Sequence, residues 1–195
     1  MRYPALVTTT TERVALPLSG GKLRLVVVAD THSAPHARSA ALVAEQRPDR
    51  ILHAGDIGDR SVVVDLAKVA PTLAVRGNID DLELPDELVV DVCGDDGASL
   101  TRILLLHIAV NGPRLRADAA RRARAEDAAL VICGHSHVPF LGQDGPFAIF
   151  NPGSIGPRRF DLPIVFGVID VSRSGVALHH IDCETGRRWV PKRPV

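Results

Sequence analysis

Seven polar side chains each stand at the end of a short apolar run, and all seven are of types that bind metal ions in proteins. They are Asp30 and His32 after VVVA, Asp56 after ILHAG, Asn78 after LAVRG, His107 after ILLL, and His135 and His137 after LVICG. Short apolar runs bounded by turn residues are typical of buried strands. Because sites in open α/β folds collect outside the carboxyl ends of strands, we expect these side chains to converge on one rim.

The types of these side chains indicate which metals and which reaction to expect. Two carboxylates, one amide oxygen and four imidazoles suit Mn²⁺, Fe²⁺, Ni²⁺ or Zn²⁺ better than Ca²⁺ or Mg²⁺. Two such ions carry more positive charge than Asp30, Asp56 and a bridging hydroxide cancel, so the site would attract an anion such as a phosphate ester. Two metals about 4 Å apart lower the pKa of a bridging water and stabilise charge on the attacking and leaving oxygens. The expected chemistry is attack of a metal-bridging hydroxide on phosphorus.

Three of the seven side chains follow a glycine, in the pairs Gly55-Asp56, Gly77-Asn78 and Gly134-His135. A residue without a Cβ permits tight turns and a close approach of the backbone to a site. The glycines therefore predict a crowded cluster.

Alternating strands and helices must position these residues. From Leu23 onward, short β-branched or leucine-rich runs alternate with stretches rich in Ala, Arg and Glu. The predicted strands cover residues 23–29, 50–54, 72–76, 87–92, 102–106, 130–133, 147–150, 164–170 and 176–181. The predicted helices cover residues 35–47, 60–69 and 114–126. This mixture predicts an α/β fold of two packed sheets flanked by helices.

The length of 195 residues allows one substantial core, and no repeat or linker divides the chain after residue 22. We predict an N-terminal extension over residues 1–22, as a strand, a hairpin or a partly disordered segment. The catalytic domain is predicted over residues 23–195.

Charge and cysteine content restrict the expected binding partners and cellular location of the protein. The 23 basic and 23 acidic residues balance, so no specific nucleic-acid or membrane partner is expected, and the arginines between 114 and 124 are interpreted as a solvated helix face. Three widely spaced cysteines supply neither a CxxC metal pair nor a complete disulfide framework. With no signal-like or membrane-spanning run, these features predict a cytoplasmic protein. The predicted partner is a small phosphate ester, because of the metal chemistry described above. A homo-oligomer is left open.

The motifs resemble those of the calcineurin-like metallophosphoesterases, whose pattern is D-x-H, G-D, G-N, His and G-H-x-H. In this chain they are Asp30-Thr31-His32, Gly55-Asp56, Gly77-Asn78, His107 and Gly134-His135-Ser136-His137. Asn151-Pro152-Gly153-Ser154 is similar to a further loop of the small bacterial and archaeal phosphodiesterase branch. The resemblance implies a four-layer α/β/β/α sandwich of two mixed sheets flanked by helices, and a metal-dependent phosphodiesterase activity.

The resemblance also implies a ligand set for two divalent ions. One ion is assigned to Asp30, His32, Asp56 and His137, and the other to Asp56, Asn78, His107 and His135. Asp56 then bridges the ions, and catalytic roles fall on Asp30, Asp56, Asn78 and His107.

Substrate contacts are less specified by the motifs. Many larger family members have His after the G-N asparagine, where this chain has Ile79 and then Asp80. The leaving group therefore lacks an obvious proton donor, which favours diesters or good leaving groups and makes Asp80 a candidate acid. His36 lies near the D-x-H loop, and Arg76, like Arg158 and Arg159, offers a guanidinium that forms bidentate bonds to phosphate.

A rival hypothesis is a catalytically weak protein-interaction scaffold of the same fold, as in a subunit of the retromer complex. Such a scaffold has lost ligands, whereas this chain retains the whole set. A metal-free native protein bound to a partner would favour the scaffold.

Overall fold

The structure is a computed structural model that describes residues 9–81 and 83–190. Its strands are β1 (Thr11–Pro17), β2 (Lys22–Val28), β3 (Arg50–His53), β4 (Thr72–Ala74), β5 (Glu87–Cys93), β6 (Ser99–Leu106), β7 (Val110–Asn111), β8 (Arg114–Leu115), β9 (Leu130–Ile132), β10 (Phe140–Asp144), β11 (Phe147–Asn151), β12 (Val165–Ser172), β13 (Gly175–Asp182) and β14 (Arg188–Trp189). Its helices are α1 (Ser39–Glu45), α2 (Ser61–Ala67) and α3 (Ala117–Ala125). Every predicted strand and helix overlaps one of these elements.

Twelve of the strands form two mixed sheets. The first sheet has the order β1-β5-β6-β9-β11-β10, with parallel pairs β1–β5, β6–β9 and β9–β11. The second sheet has the order β14-β13-β12-β2-β3-β4, in which β2, β3 and β4 are parallel and β12 runs antiparallel to β2. The predicted α/β fold of two mixed sheets is confirmed.

The alternation of side chains along β2 explains how the layers stack. Leu25 and Val27 pack in the core between the two sheets. Val26 and Val28 point the other way and pack against α1 and α2. On the far side of the molecule, α3 covers the outer face of the first sheet. The order of layers confirms the four-layer α/β/β/α sandwich.

Strand β1 lies in the segment predicted as an N-terminal extension. It pairs in parallel with β5 at the edge of the first sheet, and Leu16 and Leu18 are buried in the core between the sheets. The described part of this segment thus includes an edge strand. Residues 1–8 and 191–195 lie outside the described residues, and the domain boundary at residue 22 stays a prediction.

The helices are shorter than predicted, for local reasons. Helix α1 ends before Pro48, which follows Arg47 with φ of +51°. Helix α3 begins at Ala117 because Arg114 and Leu115 form β8, which pairs with β7 across a turn. The prediction of helix at residues 114–116 is therefore wrong.

Two of the three arginines of α3 contact other side chains, and the third, Arg121, is exposed. Arg122 forms ion pairs with Glu87 at 2.7 Å and with Glu126 at 3.2 Å. Arg124 lies over the ring of Phe147, 5.5 Å from its centroid. Within the described residues, no helix is both long and apolar enough to span a membrane. The cytoplasmic location stays a prediction.

Candidate metal centre

The seven predicted ligands follow the carboxyl ends of five strands. Asp30 and His32 follow β2, Asp56 follows β3, Asn78 follows β4, His107 follows β6, and His135 and His137 follow β9. Strands β2, β3 and β4 are parallel neighbours in the second sheet, and β6 and β9 are parallel neighbours in the first. The packed sheets therefore bring these loops to one rim of the sandwich.

Three of these side chains form what we call the first ligand group, namely Asp30, His32 and His137. Their potential ligand atoms all lie within 4.8 Å of one another. The Nε2 atoms of the two histidines are 3.3 Å apart, and Nε2 of His137 is 3.5 Å from Oδ1 of Asp30. Asp30 and His137 are buried, and His32 is half-buried. The group faces a point at which one cation fits.

The second ligand group consists of Asp56, His107 and His135, whose ligand atoms also lie within 4.8 Å of one another, together with Asn78. Oδ1 of Asn78 is 3.1 Å from Nε2 of His107 and 3.0 Å from Nδ1 of His135. Asn78 and His135 are exposed, so this group opens to solvent.

Asp56 connects the two groups. Its Oδ1 lies 3.3 Å from Nε2 of His107, and its Oδ2 lies 3.8 Å from Nε2 of His32. A carboxylate with one oxygen toward each group has the geometry of a bridging ligand.

The chemistry of the second group fits a cation. The Nδ1–H of His107 donates to the carbonyl of Ala54 at 2.7 Å, so Nε2 of the neutral ring carries a lone pair. Burial lowers the pKa of His107 and so favours the neutral ring. Its Nε2 therefore faces the acceptor oxygens of Asn78 and Asp56. Lone pairs at these distances repel one another unless a positive charge lies between them, so the donor set fits a divalent metal.

The backbone of the site is strained. Five of the seven predicted ligands have φ in the left-handed region, with values of 53° for Asp30, 46° for His32, 54° for Asp56, 67° for His135 and 59° for His137. Such conformations cost on the order of 1 kcal/mol or more each in non-glycine residues and cluster at functional sites. Here they direct side chains from the loops after β2, β3 and β9 toward the two ligand groups.

The predicted crowding is present at two of the glycines that precede predicted ligands, Gly55 and Gly77. A Cβ at Gly77 would overlap the backbone nitrogen of Asp56, and a Cβ at Gly55 would lie 2.7 Å from Nδ1 of His107. Gly55 also has φ of +89°. A side chain at either position would push the second ligand group apart.

Two buried residues of the first group, Asp30 and His137, have pKa values far from their ordinary ones. Burial, followed by repulsion from Asp56, raises the pKa of Asp30 to about 8. Burial, followed by the positive charge of Arg159, lowers the pKa of His137 to about 4. Both shifts disfavour the charged forms in the absence of a metal, and a bound cation would favour the ionised carboxylate.

A family model for the calcineurin-like phosphoesterase superfamily domain matches residues 23–174, which contain all seven predicted ligands. The chain belongs to this superfamily. A probable metallophosphoesterase of Methanocaldococcus jannaschii is 28% identical over 141 residues, a match that covers 69% of each chain. The calcineurin-like phosphoesterases depend on metal ions, and the resemblance stated from the motifs is confirmed.

Solved structures with the same fold include proteins with different names. Vacuolar protein sorting 29 from Cryptosporidium parvum has a TM-score of 0.69 and 19% identity, covering 87% of this chain and 96% of that chain. Yfce, a phosphoesterase from E. coli, has a TM-score of 0.58 and 21% identity, covering 86% of this chain and 97% of that chain. At these identities the likeness shows the fold alone, so the function of this phosphoesterase domain must be argued from its site.

His53 and Thr31 join the loops of the two ligand groups. Nδ1 of the fully buried His53 accepts the N–H of Gly55 at 3.2 Å, and Nε2–H donates to Oγ1 of Thr31 at 3.1 Å. The Thr31 hydroxyl in turn donates to the carbonyl of Ile57 at 2.9 Å. Burial lowers the pKa of His53 to about 4, which keeps the ring neutral in this chain of bonds. This bracing role depends on Thr31, which follows a different strand, β2.

The Asn151 to Ser154 loop braces the other side of the site. Nδ2 of Asn151 donates to the carbonyl of Gly134 at 2.8 Å, and its own carbonyl accepts from Nε2 of His180 at 2.8 Å. The Ser154 hydroxyl donates to the carbonyl of Asp30 at 2.9 Å. His180 is buried, and its link to the site depends on β13 packing beside β12, so no local sequence signal indicated it.

The three predicted substrate contacts occupy different places. Oδ1 of Asp80 accepts the N–H groups of Ile57 and Gly58, each at 2.9 Å, and Oδ2 accepts that of Gly77 at 2.7 Å. Both oxygens are thus occupied as acceptors, which makes Asp80 a brace between the loops of the second group.

His36 and Arg76 are placed differently from each other. Nδ1 of His36 accepts the N–H of Arg38 at the start of α1. Arg76 is held by Asp86 at 2.5 Å and lines a cavity of about 250 Å³ together with Asn78 and His107. Of the three, only Arg76 therefore shares a cavity with the predicted ligands.

Proposed function

We propose that the chain is a phosphodiesterase that acts with two divalent metal ions, with Mn²⁺, Fe²⁺, Ni²⁺ or Zn²⁺ as candidates. The observation that carries this proposal is that two ligand groups share one carboxylate, that of Asp56. One ion would bind the first group and Oδ2 of Asp56. The other would bind Oδ1 of Asp56, His107, His135 and Asn78.

The residues of the chain prepare this arrangement before any ion binds. The N–H of Asn78 donates to Oδ1 of Asp56 at 2.5 Å and holds the shared carboxylate. The Ala54 carbonyl holds the ring of His107 through its Nδ1–H. This hydrogen bond fixes the direction of the lone pair on Nε2. When bound, a pair of ions supplies a nucleophilic water of low pKa and stabilises charge on phosphate oxygens.

The surroundings of the site favour a diester with a good leaving group. The exposed Ile79 stands where many larger family members carry His, and both oxygens of Asp80 are occupied by backbone N–H groups. Neither residue offers a proton to a departing alkoxide. The exposed positions of Asn78 and His135 leave room for a small ester to approach from solvent.

Metal analysis and hydrolysis of bis(p-nitrophenyl) phosphate test the proposal together. The protein is purified without chelator, assayed, and assayed again after loading with Mn²⁺ or Ni²⁺. We expect about two ions per chain and turnover of this diester in excess over p-nitrophenyl phosphate. Asp56→Asn should abolish turnover, whereas the matched control Asp65→Asn, an exposed acid on α2, should leave it unchanged.

The opposite result has a definite meaning. A folded chain that binds no metal and hydrolyses neither ester after loading contradicts the proposal. That result would favour the protein-interaction scaffold, and the search would turn to protein partners.

A further inference from the structure

Two adjacent arginines in the loop between Ser154 and β12 are held in different ways. Nη2 of Arg158 forms an ion pair with Oε2 of Glu184 at 2.6 Å, and its Nη1 donates to the carbonyl of Leu162 at 2.7 Å. These two contacts hold the guanidinium of Arg158 on Glu184 and Leu162. The guanidinium of Arg159 instead contacts the first ligand group, with Nη2 3.2 Å from Nε2 of His32.

A hydrogen bond fixes the backbone of Arg159, but its guanidinium forms no ion pair within the described residues. Its carbonyl accepts the N–H of Leu162 at 3.1 Å, a backbone contact that does not involve the side chain of Arg158. Across residues 9–81 and 83–190, Arg159 forms no ion pair with a carboxylate. An exposed arginine without an acidic partner, aimed at an imidazole, retains its capacity to bind an anion.

The atom that Arg159 contacts is one that a metal ion would use. Nε2 of His32 lies 3.3 Å from Nε2 of His137 and 3.8 Å from Oδ2 of Asp56. One lone pair cannot accept from a guanidinium and bind a divalent cation at the same time, and the two positive charges repel each other. The guanidinium must leave His32 when the first ligand group takes a metal. Its fixed backbone then keeps it at the mouth of the site.

We propose that Arg159 is a substrate-positioning residue that exchanges between two partners. In the metal-free chain its guanidinium lies on His32, and in the metal-loaded chain it donates to oxygens of the bound phosphate. The planar fork of five N–H donors matches two phosphate oxygens, which a single ammonium group does not. This inference rests on the proposed function, because it requires a metal ion in the first ligand group.

Two affinities with opposite expected changes test the exchange. The variants are Arg159→Ala, Arg159→Lys and the matched control Arg158→Ala, and the probes are Mn²⁺ and inorganic phosphate, both titrated by calorimetry at low ionic strength. Arg159→Ala should bind Mn²⁺ about threefold or more tighter than the wild type, because it lacks the guanidinium that competes for His32. Removing the phosphate donor should weaken phosphate binding to the Mn²⁺-loaded variant about tenfold or more. Arg159→Lys should bind phosphate with intermediate affinity, and Arg158→Ala should match the wild type in both titrations.

A misfolded variant would bind both Mn²⁺ and phosphate more weakly. A gain in Mn²⁺ affinity together with a loss of phosphate affinity therefore distinguishes a positioning role from misfolding. Arg159→Ala that loses Mn²⁺ and phosphate affinity together, or that changes no more than Arg158→Ala, overturns the inference. If wild type binds two Mn²⁺ ions and hydrolyses the diester while Arg159→Ala binds phosphate normally, only this inference fails. If wild type binds no Mn²⁺, the proposed function fails with it.

Discussion

The first and second ligand groups contain similar side chains but hold them in different ways. In the second group, a hydrogen bond to Ala54 fixes the ring of His107, and the N–H of Asn78 fixes the carboxylate of Asp56. In the first group, Nδ1 of His137 is buried without a hydrogen-bond partner in the described part of the chain. Hydrogen bonds thus orient the second group before metal binds, and the first group lacks the equivalent bond on its deepest histidine.

The first group also contains two obstacles to an incoming cation. Asp30 is buried with a raised pKa, and the guanidinium of Arg159 lies on His32. The second group is open to solvent and its His107 remains neutral. Two ligand groups that share one carboxylate can therefore differ in metal affinity, because preorganisation and local charge differ over a few ångströms.

The largest expected effect comes from removing one imidazole from each group. His32→Ala and His107→Ala should each bind one ion fewer and lose at least about a thousandfold in turnover of bis(p-nitrophenyl) phosphate, because both ions act on one phosphate. Metal analysis and steady-state kinetics measure this. His179→Ala on β13 serves as a histidine control outside both groups. Full activity in either ligand variant would show that one group suffices.

His32→Ala and His107→Ala should differ in their affinity for the ion that each still binds. We expect the second group to bind Mn²⁺ about tenfold or more tighter than the first, because oriented ligands cost less to assemble. Calorimetric titration of His32→Ala, which retains the second group, should therefore give the tighter dissociation constant. His107→Ala, which retains the first group, should give the weaker one. Equal constants would remove the contrast between the groups.

The pH dependence of binding should sharpen the contrast. The raised pKa of Asp30, about 8, means that this carboxyl carries a proton at pH 7 in the metal-free protein and must release it when the first group binds metal. Affinity of the first group should thus fall as pH falls, by about tenfold between pH 7.5 and pH 6.5. The lowered pKa of His107 predicts a flatter profile for the second group.

Calorimetry in buffers of different ionisation enthalpy measures this proton directly. His107→Ala, which retains the first group, should release about one proton per ion bound at pH 7. Binding to this variant without proton release would contradict the assignment of the proton to Asp30.

The smallest expected effect concerns Ser154, whose hydroxyl donates to the carbonyl of Asp30. Ser154→Ala should lower the free energy of unfolding by about 1 kcal/mol and weaken Mn²⁺ binding in the first group by up to about fivefold. The second group should be unaffected, since among the described residues the hydroxyl hydrogen-bonds to the Asp30 carbonyl and the Gly156 N–H and to neither Asn78 nor the second-group histidines. Thermal melts and Mn²⁺ titration measure the two effects, and Ser174→Ala, at an exposed position, is the control. A loss in the second group would show that the groups are coupled through the loop.

Much of the fold was predictable because its signals are local. The apolar runs of β2, β3, β6 and β9 are short and strongly hydrophobic, and each identifies both a strand and the ligand loop behind it. The start of α3 was not predictable in the same way. Arg114 and Leu115 fit a helical pattern, yet pairing with Val110 and Asn111 across the turn at Gly112 places them in β8.

The supporting contacts of the site were less accessible than its ligands. Asp80 follows the G-N motif and reads as a candidate acid, but its role depends on N–H groups of a loop more than twenty residues away. His180 and Ser154 likewise act on loops that are distant in sequence. A single sequence does not show which distant loops meet.

The family, the α/β class and the seven candidate ligands could be predicted from the sequence, because the motif residues lie next to strand ends and short-range pattern indicates those ends. The packing of distant loops places Asp56 between the two groups, makes Asp80 a brace between loops, and brings Arg159 to His32 and Arg158 to Glu184. Adjacent residues of one type carry the same information in sequence. Their difference arises from backbone direction and from packing partners, which exist only once the two sheets have brought distant loops to the same rim.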